Sequence, residues 1–129
     1  MMLNNRLLRI LQNKKRFSNT LELYASFNTL PINNLFIFRL LIHAHALHNK
    51  SESLPMIFHN KVQLNSSFHS YSTRSNNDFH ILQTNTKAGS KLSYHIASIH
   101  WNSLPSEIKK IQSVILFKKS AKNFLLNNY

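Results

Sequence analysis

Residues 31–48, PINNLFIFRLLIHAHALH, decide how this chain folds. Pro31 suits the first position of a helix, where a missing N–H leaves nothing unpaired. Beyond it, Leu35, Phe36, Ile37, Phe38, Leu40, Leu41 and Ile42 fall on nearly every side of that helix, the pattern of an element buried all round. Arg39 interrupts the run, which stops far short of the roughly 20 apolar residues that a membrane-spanning helix needs. The stretch is therefore read as the centre of a protein core.

Helices are expected on both sides of it. Leu3, Leu7, Ile10 and Leu11 recur at helical spacing and predict a helix over 3–16, with Lys14, Lys15 and Arg16 at the negative end of its dipole. A second helix is predicted over 20–27, capped by Ser18 or Asn19, with Glu22 in its first turn and Leu21, Tyr24 and Ala25 facing inward. Pro105 opens a short helix over 105–111, and Ser113 caps a last one over 113–127. In that last helix Val114, Phe117, Ala121, Phe124 and Leu125 form one stripe, and Lys118, Lys119 and Lys122 give a basic outward face.

Between 49 and 89 the periodicity dissolves into Ser, Asn, His and Thr. The clusters at 65–67 and 75–78 are turn formers, because their side chains satisfy nearby backbone groups. Phe79-His80-Ile81-Leu82 and residues 92–99 suit short strands or extended ribbons. A single Gly and three Pro leave few tight turns, which disfavours a many-stranded sheet. The expected architecture is a small, mostly α domain with a long extended connector and few or no short strands. Its parts are a helical segment over 1–50, a polar connector over 51–90 and a Trp-containing helical tail over 91–129.

Sixteen Lys and Arg stand against four acids, a formal charge of +12. Such a field favours polyanions, nucleic acid first among them; it equally fits a piece whose acidic partner surface lies elsewhere. With no Cys there is neither a disulfide framework nor a thiolate zinc site. The N-terminal segment is Arg-rich and free of acid before Glu22, in the manner of a transit peptide, but it has no Ser before Ser18. An intracellular place in the nucleus or cytoplasm is expected over the mitochondrion.

Polymerase or nuclease chemistry with two metal ions needs carboxylates that converge on them. Asp78 is the only Asp, and Glu22, Glu52 and Glu107 are scattered, so no enzymatic activity, no metal and no cofactor are expected. His43, His45 and His48 invite a metal reading, and His45 and His48 do share a helical face. Two imidazoles without Cys or a nearby acid make an incomplete set, and they are read as polar breaks on the rim of a core helix. Trp101, among Ile99, Leu104 and Ile108, is expected to anchor the core, with its indole N–H in want of a partner. What remains is basic with aromatics interleaved. The candidate nucleic-acid-binding residues are Lys14, Lys15, Arg16, Tyr71, Arg74, Lys118, Lys119 and Lys122. The cations would neutralise phosphates and Tyr71 or Phe68 would stack on an unpaired base. The plainer reading of the same lysines is a solvated helix face.

Several phrases carry a family resemblance. They are His69-Ser70-Tyr71-Ser72-Thr73-Arg74, then Thr86 with Gly89-Ser90-Lys91, then Trp101-Asn102-Ser103-Leu104-Pro105, then Phe117-Lys118-Lys119 and Lys122 with Leu125-Leu126. In that order they resemble the C-terminal region of reverse transcriptases from non-LTR (LINE-type) retrotransposons, which reads HSYNTR, T..GK.S, WNSLP and FK..LK..L. Upstream, Arg6-Leu7-Leu8-Arg9-Ile10-Leu11-Gln12-Asn13-Lys14 looks like the family's LRILQ.K.R helix, and Phe27-Asn28-Thr29-Leu30-Pro31-Ile32 like its FNTLPI joint. One departure is the run Tyr94-His95-Ile96-Ala97-Ser98, which lacks the Gly that the family places before its Trp. The resemblance implies a thumb-like segment and the tail beyond it, downstream of the polymerase active site. The chain would then be a truncated C-terminal remnant of an RNA-directed DNA polymerase. It would lack the catalytic palm, start inside the parent, and have RNA or DNA and the parent's remaining domains as partners. A different class, a small basic structural protein such as an organelle ribosomal or RNA-assembly subunit, fits the abundance of Asn, Lys and Ile, but no phrase carries it.

Overall fold

The computed structural model describes residues 2–49, 62–68 and 75–128. They form six α-helices: α1 (Met2–Leu11), α2 (Thr20–Ser26), α3 (Ile32–His48), α4 (Ser93–Asn102), α5 (Ser106–Lys109) and α6 (Val114–Asn127). Among the described residues there is no strand, only an isolated antiparallel bridge between Leu64 and Phe79. The mostly α expectation holds.

Helix α1 stops at Leu11, not at Arg16 as its leucine stripe predicts. Asn13 takes a left-handed conformation, φ 49°. The Lys14 N–H then reaches back to the Arg9 carbonyl at 2.8 Å and the Asn13 N–H to Ile10 at 3.1 Å, the bond pair of a Schellman cap. Helix α2 closes in the same way. Asn28 has φ 49°, and Thr29 and Asn28 donate to the Tyr24 and Ala25 carbonyls at 3.0 and 3.1 Å. Asn thus takes the place that Gly usually fills, in a chain with one Gly. At the start of α2, Asn19 accepts from the Leu21 N–H at 3.0 Å and donates to Glu22 at 3.2 Å, as a capping residue should. The buried face of α2 is Leu23 and Tyr24; Leu21 and Ala25, expected inward, are exposed.

Pro31 sits at the cap position of α3, one residue before the helix proper. Leu40, Leu41, Ala44 and His45 are buried, whereas Ile32, Leu35 and Phe36 near its start are about half exposed. The all-round burial predicted for α3 is not found: burial is concentrated in its second half, where His43 still stays exposed, and α4 and α6 pack against the helix. Helix α6 runs antiparallel to α3. The His45 ring meets the Ile111 carbonyl at 2.6 Å just before α6, and the Asn34 side chain donates to the Leu125 carbonyl at 3.1 Å near its end.

The strand expected over 92–99 is instead helix α4, which continues through Trp101. Ala97, Ser98 and Trp101 are its buried face, spaced for one side of a helix. No turn interrupts the run from Tyr94 to Trp101, so the missing Gly corresponds to unbroken helix. Helix α5 is shorter than predicted, and Ser113 precedes α6 without a capping bond from its side chain.

The described residues of the polar connector are tied together by backbone hydrogen bonds. Asn65 N–H donates to the Asp78 carbonyl at 2.9 Å, His80 N–H to Gln63 at 2.7 Å and Ser66 N–H to Asn76 at 3.2 Å. The two arms thus pair around Phe79, which enters the core. That core comprises Leu41, Ala44, Phe79, Trp101, Leu104, Phe117, Ala121 and Leu125.

Candidate nucleic-acid interface

Helix α6 carries the clearest basic face, and its burial pattern explains why. Phe117, Ala121 and Leu125 turn into the core with no or little exposure. The helical repeat then turns Lys118, Lys119 and Lys122 away from it: Lys118 and Lys119 are exposed and Lys122 partly so. Ile115, 80% exposed, lies among them, so the face is not purely charged. The predicted basic outward face is present. Of the predicted stripe, only Val114 fails to be covered.

Lys14, Lys15 and Arg16 are all exposed, in the irregular segment after the α1 cap. The Arg16 guanidinium lies 5.9 Å from the ring centre of Phe17, which is itself almost wholly exposed. Helix α1, which precedes these cations, rests on α2. Tyr71 and Arg74 lie outside the described residues. Lys91, from the quoted phrase Gly89-Ser90-Lys91, and Lys87, which the sequence did not single out, are exposed around the turn before α4. In that turn the Thr86 hydroxyl accepts the Gly89 N–H at 3.0 Å and the Ser90 hydroxyl donates to the Lys87 carbonyl at 3.0 Å. A Cβ at Gly89 would lie 3.1 Å from both Thr84 Cβ and Thr86 Oγ1, so a larger residue there would require these side chains to shift.

The polar groups nearest the core serve architecture. Asp78 pairs with Lys109 at 2.8 Å, and the same ammonium donates to the Asn102 carbonyl at 2.8 Å. The Asn102 side chain brackets Phe79, accepting its N–H at 2.9 Å and donating to its carbonyl at 2.8 Å. Neither Asn102 nor Lys109 stood out in the sequence. The one available signal was the position of Asn102 beside the Trp, inside a quoted phrase.

His45 and His48 share a face, as the spacing requires; His45 lies in the core and not on its rim, whereas His48 is partly buried. His45 is fully buried and stacks on Phe117 at 4.2 Å. The His45 Nε2 lies 2.6 Å from the Ile111 carbonyl, which only accepts, and 3.0 Å from Asn49 Nδ2, which only donates. His48 lies 5.1 Å from the Trp101 ring, and its Nδ1 and the Trp101 Nε1 are buried without a hydrogen-bond partner. Burial pushes the His48 pKa below its ordinary value, helped by His45 and Lys109 and opposed by Asp78. Burial alone lowers that of His100. Among the described residues no three His, Asp or Glu side chains converge to hold a metal ion, and no helix is long and apolar enough to cross a membrane.

Comparisons of the chain with known protein families, curated proteins and solved structures found no match.

Proposed function

We propose that this chain is a C-terminal part of a reverse transcriptase of the non-LTR retrotransposon type, lacking the catalytic palm and able at most to bind nucleic acid through basic surfaces. The observation that carries the binding reading is the α6 face, where Lys118, Lys119 and Lys122 point away from a stripe buried in the core. They are therefore free to meet phosphates without loss of packing. The ordered phrases of the sequence support the family, and the charge of +12 supports a polyanionic partner.

The chain itself performs no nucleotide chemistry in this reading. Asp78, its only Asp, is held by Lys109; Glu22 sits on α2 and Glu107 on α5. Two-metal catalysis requires carboxylates that share a site. The remaining domains of the parent polymerase are the second proposed partner, since the palm chemistry would reside there.

Fluorescence anisotropy with single-stranded and duplex probes across a salt series tests the binding. Both probes are expected to bind, with affinity falling steeply as salt rises. Replacing Lys118, Lys119 and Lys122 together with Gln should lower the salt slope by about three phosphate contacts at most. Tyr71→Ala should weaken single-strand binding by about 1–3 kcal/mol and leave duplex binding unchanged. A folded chain that binds neither probe at low salt would remove the reading.

A further inference from the structure

Helix α1 meets its neighbour with its polar side. Asn4 donates to the Tyr24 hydroxyl at 2.8 Å, and that hydroxyl donates to Asn5 at 2.9 Å. The Arg9 guanidinium donates twice to the Ser18 carbonyl, at 3.1 and 3.0 Å. Leu3, Leu7, Ile10 and Leu11 lie together on another side, and they are 71%, 49%, 64% and 82% exposed. A helix serving only its own core would be turned the other way, since burying each such side chain is favourable by about 1.5–3 kcal/mol. Among the described residues the orientation leaves a continuous apolar stripe uncovered.

The surroundings of that stripe select what covers it. Leu3, Leu7 and Ile10 have the alternating spacing of a two-helix seam, into which the side chains of a second helix interlock. The charges near them are all positive: Arg6 and Arg9 in the helix, then Lys14, Lys15 and Arg16, with no acid before Glu22. A second copy of this chain would bring those cations together, which disfavours self-association. Nucleic acid gains nothing from leucines, which neither pair with bases nor neutralise phosphate. An anionic membrane satisfies the charge, but α1 has only ten residues. Even a full myristoyl chain holds a protein to a bilayer only marginally. A helix with an apolar seam and acidic flanks satisfies both the spacing and the charge.

We propose that the outward face of α1 is a docking site for an amphipathic helix of a partner protein, whose apolar seam is edged by Glu or Asp. Leu3, Leu7 and Ile10 supply the contact area, and the neighbouring cations select the partner's sign and orientation.

The test uses the full chain and two synthetic helical peptides with Leu at the seam positions, one flanked by Glu and the other by Lys. The Glu peptide is expected to bind at least about tenfold more tightly, with affinity falling as salt rises. Leu7→Asp should reduce that affinity at least about tenfold and leave circular dichroism, thermal midpoint and nucleic-acid binding unchanged. Ile10→Asp, at a more exposed position of the same seam, provides the same readout should Leu7→Asp perturb folding. Absence of binding, or equal binding of the two peptides, would overturn the proposal. So would a dimer dissolved by Leu7→Asp, or co-pelleting with phosphatidylserine vesicles that Leu7→Asp abolishes, since each gives the face a different occupant. Loss of nucleic-acid binding in Leu7→Asp would likewise count against it.

Discussion

Replacing Trp101 with Ala probes the centre of the molecule. The side chain is fully buried, with ring centres of His48, Phe79, Phe117 and His45 at 5.1, 5.5, 5.8 and 6.4 Å. Those neighbours come from α3, from the connector and from α6, so no single element can move to fill the space. Such truncations destabilise by about 3–5 kcal/mol. One contribution acts in the other direction. The Trp101 Nε1–H is buried without an acceptor among the described residues, and an unpaired buried donor is unfavourable by roughly 1–3 kcal/mol. Its removal offsets part of the lost packing and places the expected loss near the lower end, about 3 kcal/mol. That is a large share of the roughly 5–15 kcal/mol that stabilises an ordinary domain. Urea denaturation followed by far-ultraviolet circular dichroism is the suitable assay, because the variant has no Trp left to fluoresce. Trp101→Phe separates the two contributions, keeping a ring and discarding the N–H. It is expected within about 1.5 kcal/mol of the parent. An Ala variant within about 1 kcal/mol of the parent, or a Phe variant as damaged as the Ala one, would refute this account of the core.

Acidification should destabilise the fold through His48. Its folded pKa lies below the ordinary 6.5, so the unfolded chain takes up the proton first; stability is complete above 6.5 and is lost as the pH falls from there toward the lowered value. Thermal midpoints recorded through that range should flatten in His48→Gln, and an unchanged slope would rule out this residue as the source. Asn102→Ala leaves the Phe79 N–H and carbonyl without their partner, a loss of roughly 2–4 kcal/mol with faster proteolysis of the connector. Protection equal to that of the parent would show the bracket to be dispensable. Primed template, nucleotides and magnesium should yield no extension with this chain, and template-dependent incorporation abolished by Asp78→Asn would overturn the non-catalytic reading.

Helix positions were legible where apolar periodicity and burial coincide, as in α6, whose Phe117, Ala121 and Leu125 are both periodic and buried. The pattern could not say which way a stripe points. The leucines of α1 are as periodic as those of a core helix, yet hydrogen bonds from Asn4, Asn5 and Arg9 decide its orientation. Helix ends were less legible, because Asn13 and Asn28 in left-handed conformations terminate α1 and α2 without the usual Gly. Helix α4 was misread because Ile96 and Ile99 favour extended structure locally, whereas the burial of Ala97 and Trp101 against α3 favours helix. The α6 lysines were legible as a face because the buried stripe fixes where they point. Asn102 was not, since nothing local reveals that Phe79, far along the chain, supplies both halves of its hydrogen bonding.

The phrase Trp101-Asn102-Ser103-Leu104-Pro105 now has a physical account residue by residue. Trp101 and Leu104 are core, Asn102 fastens the connector, the Ser103 hydroxyl bonds to the His100 carbonyl at 2.8 Å, and Pro105 precedes α5. Thr86 and Gly89 shape the turn that leads into α4. Arg9 and Asn13, from the upstream phrase, fasten and terminate α1. In the described parts of the quoted phrases Trp101, Leu104, Phe117 and Leu125 are core, whereas Leu7, Ile10, Leu11, Lys118 and Lys119 are exposed. The phrases therefore divide between residues that this packing uses and residues on its surface. The activity must be sought on faces that packing does not claim, namely the lysines of α6 and the leucines of α1. There a charge or a methyl group can change without disturbing the core, and a binding measurement reads the surface alone.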